Sequence, residues 1–236
     1  MAWVARRSGS RRVLRHRTGF LVVAAVFAAC TSTLVDYSAD VHVVQPGETL
    51  YAIAWRHGLD YHQLARWNGL SNPDRIAVGQ RIRLRPGASP ASATAPASTP
   101  RPSAAPLPAA PALPPPRWQW PTEGPVLRAF GAAGGLANGI GIGGRPGQAI
   151  RAAAPGRVVY AGSGLNAYGQ LVIIKHNDTY LSAYGHNSEL VVTQGEDIAA
   201  GQVIARMGLG SERQPQLHFE IRRNGAPVDP LSHLPR

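Results

Sequence analysis

Sulfur is scarce in this chain: its 236 residues include one cysteine, Cys30, and two methionines. A lone cysteine excludes any intramolecular disulfide, and with it a cross-linked scaffold. Long apolar runs are missing as well. The run from Phe20 to Ala29 covers ten residues, whereas crossing the hydrocarbon core of a bilayer takes roughly 20. Acidic residues are few, 13 against 24 lysines and arginines, which gives a net charge of +11. That excess is not a stripe that could track phosphates. Six arginines (Arg6, Arg7, Arg11, Arg12, Arg15 and Arg17) precede Phe20 with no acid among them, and taking their six charges from +11 leaves +5 on everything after Ala29. Such a balance is ordinary surface charge and argues against a nucleic-acid partner.

What is present begins with an export signal. The arginine-rich start, the short apolar run and the small residues Ala28-Ala29 form a secretory leader over residues 1–29. Cys30, directly after Phe27-Ala28-Ala29, resembles a bacterial lipobox. The resemblance implies a diacylated thiol as lipid attachment point, with residues 30–40 as a tether. Thr31, where inner-membrane retention uses aspartate, implies an outer-membrane lipoprotein facing the periplasm. A soluble secreted protein with a free thiol is the alternative. Ser10-Arg11-Arg12 leaves the route open between general secretion and twin-arginine export.

Residues 86–116 contain eleven prolines and ten alanines with almost no charge. The stretch cannot bury a core and is expected to be a disordered, semi-rigid spacer. Fully extended it would reach roughly 95 Å at ~3.1 Å per residue. It divides a small module over 41–85 from a larger one over 117–236.

The small module reads β-α-α-β. Val41-His42-Val43-Val44 is a strand that Pro46-Gly47 ends. Thr49 is an N-cap, followed by Leu50, Ile53, Ala54 and His57 at i, i+3, i+4 and i+7. Gly58 stops that helix; Asp60, with Gln63 three residues on, opens the next. Asn68-Gly69 closes it, and Gly79 to Leu84 alternates as a strand. The order Val-Gln-Pro-Gly-Glu-Thr-Leu, Leu-Ala-x-x-Asn-x-Leu, Ile-Ala-Val-Gly-Gln-x-Ile resembles the LysM module. That resemblance implies binding of N-acetylglucosamine-containing glycan, in a shallow groove between Gly47, Glu48, Thr49, Leu50 and Asn72, Pro73, Asp74, Arg75, Ile76. Trp55 and Trp67 are expected in the core, because a module this small needs large apolar side chains.

From Trp118 onward short strands alternate with turn residues, at Val126–Phe130, Arg157–Tyr160, Leu171–His176, Tyr180–Tyr184, Val203–Met207 and Leu217–Arg222. Asn177-Asp178 and Asn224-Gly225 sit where tight hairpin turns belong. The pattern predicts a mainly antiparallel β domain, and the fold class expected overall is multidomain. The blocks Gly139-Ile-Gly-Ile-Gly143, Ala152 to Gly162, Tyr168 to His176, Ser182-Ala-Tyr-Gly-His186 and Leu217-His-Phe-Glu220 resemble the LytM, or M23, peptidases.

Active members of that family hold zinc through His-x-Gly-x-Asp and the second histidine of His-x-His. A catalytic zinc needs about three protein ligands and one open position. Here the first ligand position is Ala137 and the aspartate position is Gly141, while the first histidine of His-x-His is Gln216. His218 remains, with His186 at the family's Tyr-x-His position. No metal, no cofactor and no catalytic residue is therefore expected. His176 is read as an ordinary strand residue.

A lipoprotein that combines LysM, a proline-rich spacer and a metal-less LytM domain is similar to the NlpD/EnvC group. The resemblance implies a non-catalytic activator of periplasmic N-acetylmuramoyl-L-alanine amidases during septum splitting. Its vacant groove, around Ala137, Gly141, His186, Gln216 and His218, would receive an amidase element. The alternatives are a zinc endopeptidase acting on peptidoglycan cross-links and a passive tether between outer membrane and wall.

Overall fold

The computed structural model describes residues 40–86, 113–133, 136–210 and 212–236. The leader, Cys30, residues 31–39 of the tether and residues 87–112 of the proline-rich stretch lie outside them. No helix among the described residues is long and apolar enough to cross a membrane.

The first module follows the expected order. β1 (Val41–Val43) pairs antiparallel with β2 (Arg81–Arg83), with His42 opposite Ile82. Between them lie α1 (Leu50–His57) and α2 (Tyr61–Trp67). Thr49 Oγ1 accepts from the Ala52 amide at 3.1 Å, and Asp60 Oδ1 accepts from that of Gln63 at 2.9 Å. Each satisfies one of the amides that a helix start leaves orphaned. Gly58 ends α1 at φ 65°, a left-handed conformation that suits a residue without a Cβ.

One expectation is exceeded. The spacing predicts a single apolar stripe on α1, yet all six residues from Leu50 to Trp55 are buried, and His57 is exposed. The reason is a second partner.

The larger module is an antiparallel sheet. Its strands are β3 (Val126–Arg128), β4 (Ile140–Gly143), β5 (Ala149–Arg151), β6 (Gly156–Gly162), β7 (Gln170–Lys175), β8 (Tyr180–Leu190), β9 (Asp197–Ile198), β10 (Val203–Met207), β11 (Gln216–Arg223) and β12 (Ala226–Val228). The central path runs β3-β4-β11-β8-β7-β6-β9; β10 joins β5 to β8, and β12 joins β11. Sequence reading missed β4, whose alternating glycines weaken its strand pattern, and the short β5, β9 and β12.

Along β7, Val172 and Ile174 join a core with Trp118, Ile142, Tyr184 and Phe219. Leu171 and Ile173 point the other way, into a cluster shared with Leu50, Ile53 and Leu64 of the first module. Side chains alternate across a strand, so the first module covers one face of the sheet and the two modules share a core. The contact has polar rivets. Arg56 Nη2 donates to the Gly164 carbonyl at 2.9 Å, and Tyr61 Oη donates to Asp178 Oδ1 at 3.3 Å. The hairpin turn at Asn224-Gly225 (φ 48° and 78°) presses on the α1–α2 corner; a Cβ on Gly225 would lie 2.6 Å from Asp60 Cα. Leu113 and Pro114, at the end of the proline-rich stretch, hydrogen-bond to Thr179 and Asn177. His176 is a structural node: its ring bonds Ser182 Oγ at 2.7 Å and the Pro155 carbonyl at 2.8 Å, and it packs against Trp118.

Candidate functional site

β11 runs between β4 and β8, which places His218 opposite Gly141 on one side and Gly185 on the other. His186 follows at φ 62°, an uncommon conformation for a residue with a Cβ. It is fixed where the Gly208 amide donates to its carbonyl at 2.9 Å. The two imidazole centroids are 5.9 Å apart. Gly141, Gln216, His186 and His218 are thus brought together. Ala137 and Asn138 are exposed on the loop before β4, at the rim.

The departures from a zinc site fit one another. A Cβ on Gly141 would lie 1.7 Å from Gln216 Nε2, so the glutamine amide fills the space an aspartate would need. On the other side, Arg128 Nη2 lies 3.3 Å from His218 Nδ1. A guanidinium only donates, so Nδ1 accepts and the ring proton sits on Nε2. These residues do not fit a zinc ion: one imidazole nitrogen already takes a cationic donor, and no carboxylate can enter from position 141. Among the described residues no group of three or more His, Cys, Asp or Glu could hold a metal.

Behind His218 lies a buried network that sequence reading missed. Glu220, with no exposure, accepts from Tyr168 Oη at 2.8 Å, His218 Nε2 at 3.0 Å and Arg222 Nε at 3.1 Å. Burial, then the Glu220 charge, raises the Tyr168 pKa, so the phenol stays protonated and donates. Arg222 donates onward from Nη1 to the Trp55 carbonyl at 2.9 Å, and its guanidinium lies 3.7 Å from the centroid of the Trp55 ring. Trp55 is in a core as expected, but its partner is the other module. The readable signal was the alternation Gln216-x-His218-x-Glu220-x-Arg222, which puts four polar residues on one face of β11. Burial, followed by the neighbouring His218, pushes the His186 pKa down to about 4. A cleft of about 750 Å³ runs beside this network, between Leu136, Asn138 and Tyr168 and the α1 residues Trp55 and His57.

Four of the nine residues expected to bind glycan, Glu48, Thr49, Asp74 and Ile76, line a smaller cleft. Glu48, Thr49, Tyr51, Asp74 and Ile76 face Arg157 and Gln194 of the sheet domain across about 170 Å³. Burial alone would raise the Glu48 pKa, but bonds from the Gln45 amide, His42 and Arg56 outweigh it and hold the carboxylate ionised. Asn72 Oδ1 accepts from the Asp74 amide at 2.9 Å, which shapes the loop that carries Pro73 and Arg75. Leu50 corrects an expectation. It has no exposure and packs in the core with Ile53 and Leu64, so it offers no side-chain surface to a ligand.

Residues 42–85 match the LysM domain and residues 135–230 match peptidase family M23. The chain is 40% identical to a lipoprotein NlpD/LppB homolog of Pseudomonas aeruginosa, over 91% of this chain and 90% of that protein. The chain belongs to the NlpD lipoprotein family. A second relative, the uncharacterized lipoprotein YgeR of Escherichia coli, is 38% identical over 91% of this chain and 89% of its own length. A third, the murein hydrolase activator NlpD of Escherichia coli, is 39% identical over 85% and 69% respectively. The family frame fits the two modules as found, a LysM domain ahead of a mainly antiparallel M23-type sheet.

Proposed function

We propose that this chain is a non-catalytic, peptidoglycan-binding outer-membrane lipoprotein, facing the periplasm, that activates N-acetylmuramoyl-L-alanine amidases for septal wall splitting. One observation carries the reading: Gln216 and Gly141 fill each other's space while Arg128 faces His218, so the zinc site is closed but its walls stand. The names of the relatives support it, since they include lipoproteins and murein hydrolase activators. The groove around Ala137, Gly141, His186, Gln216 and His218 receives an amidase element that otherwise blocks the amidase. Activation is then a population shift, in which the activator needs only a few kcal/mol of preference for the unblocked state. The LysM groove from Gly47 to Thr49 and from Asn72 to Ile76 holds the protein on its substrate wall, and Cys30 anchors it by lipid.

The test is the mature full-length chain with its own cell's amidase and dye-labelled sacculi. Dye release should rise with the activator and stay at background with the activator alone. Unchanged release with amidase present rejects the proposal; release by the chain alone restores the endopeptidase reading.

A further inference from the structure

The cleft of about 170 Å³ between the modules has walls of two origins. Glu48, Thr49, Asp74 and Ile76 come from the loops expected to bind glycan, while Arg157, Gln194 and Gly195 come from the sheet domain. The sheet-domain wall is braced: the Gly195 amide donates to the Val158 carbonyl at 2.8 Å, and the Val158 amide donates to the Glu196 carbonyl at 2.9 Å. Gly195, at φ 92°, turns the chain without a side chain, and its Cβ position lies 3.8 Å from Arg157 Nη2, so the guanidinium reaches over this turn. The acids around it are engaged elsewhere or stand off. Glu48 is taken by His42, Arg56 and the Gln45 amide, and Glu196 accepts from the Thr193 amide at 3.1 Å and from Gln202 Nε2 at 3.3 Å. Asp197 is opposite Arg157 across the β6–β9 pair, and Asp74 lines the cleft. Even so, the exposed side chains of Arg157 and Gln194 make no hydrogen bond or ion pair among the described residues. A guanidinium is a planar fork of N–H donors whose geometry matches a carboxylate.

We infer that the two modules build one glycan site, in which Arg157 takes the lactyl carboxylate of N-acetylmuramic acid. The inference deepens the proposed glycan binding, on which it rests. That carboxylate is free only where an amidase has acted. Water adds across the bond between the lactyl carbonyl and the L-alanine nitrogen, leaving a carboxylate on the glycan and an amine on the peptide. On an uncut strand the same carbon is a neutral amide that carries the peptide. The cleft is well below the ~300–1,000 Å³ of a site that encloses a drug-sized ligand, so it admits one sugar with its lactyl group but no attached peptide. Gln194 and Asp74 offer partners for N-acetyl and hydroxyl groups, and the rest of the strand lies along the exposed loops at Gly47 and Asn72. The preferred ligand is thus the product of the amidase reaction, which keeps the activator where cutting has begun.

The experiment titrates the mature full-length chain calorimetrically with three tetrasaccharides: chitotetraose, which is neutral, a denuded peptidoglycan tetrasaccharide, and the same tetrasaccharide with its peptides attached. Wild type should bind the denuded form roughly tenfold more tightly than chitotetraose, the low end for a hydrogen bond to a charged group, and more tightly than the peptide-bearing form. Arg157→Gln should bring the denuded form and chitotetraose together by weakening the first. Arg157→Lys, which keeps the charge, should retain part of the preference, and Arg157→Glu should reverse it. Thermal midpoints report whether each variant folds. Equal wild-type affinity for denuded and neutral glycan, a preference that survives in Arg157→Gln, or equal binding of the peptide-bearing form overturns this inference and leaves glycan binding standing. Binding of none of the three rejects the glycan reading itself, and the dye-release test decides the amidase reading separately.

Discussion

At Glu220 a carboxylate shielded from water accepts from three donors, one of them the charged Arg222. Removing one member of such a buried set costs about 3–5 kcal/mol, because the partner charge is left unpaired. Glu220→Gln should therefore lower the denaturant midpoint by an amount in that range without changing the slope, measured by urea unfolding of the full chain. At Gly141 the limit is steric. Gly141→Asp would drive a side chain into Gln216 Nε2 and should destabilise by about 1–3 kcal/mol, as overpacking does. Adding Gln216→His should bring no stoichiometric zinc by metal analysis while Arg128 and Ala137 stay as they are. His176 and His186 are both held near pKa 4, by burial first, against 6.5 for a free imidazole. Between about pH 6.5 and 4 the unfolded chain thus binds protons that the folded chain refuses, and stability falls as pH drops through that window. Melting temperatures across pH 4–7 should show that fall, and His176→Gln should flatten it if the fold survives.

At the scale of elements, the two caps of the first module were legible because Thr49 and Asp60 act on amides three residues away. The Asn224-Gly225 turn was legible too, since both positions need φ above zero. The docking of α1 on the sheet was not read, although a trace existed. Leu171-Val-Ile-Ile174 is apolar at four consecutive positions, which marks a strand buried on both faces. That run demands a cover for the second face, but nothing local says which element supplies it. Gly225→Ala should be destabilising well beyond an ordinary turn change, because the added methyl meets the Asp60 backbone as well as the strained φ. Trp55→Ala should cost about 3–5 kcal/mol, and it should do so for both modules together.

For the whole molecule, the shared core implies one cooperative unit. Calorimetry of the full chain should show a single transition, with the van't Hoff enthalpy matching the calorimetric one. Residues 113–236 alone would expose Leu171, Ile173 and Leu181 and should bind an apolar dye or aggregate. Two separate transitions would refute this coupling. Such a result would return the chain to the picture of modules strung on a spacer, the expectation that composition alone favoured.

What the linear chain settled was whatever depends on residue type at short spacing: helix starts and stops, strand alternation, and the LysM and M23 blocks. Each follows from which chemical groups exist and how far along the backbone they sit. What only folding decided was which groups meet across long separations. Arg128 came to stand beside His218, Gln216 came to fill the space above Gly141, and Arg222 reached across 167 positions to the Trp55 carbonyl. Those meetings depend on strand register and on the packing of one module against another, which local patterns do not encode.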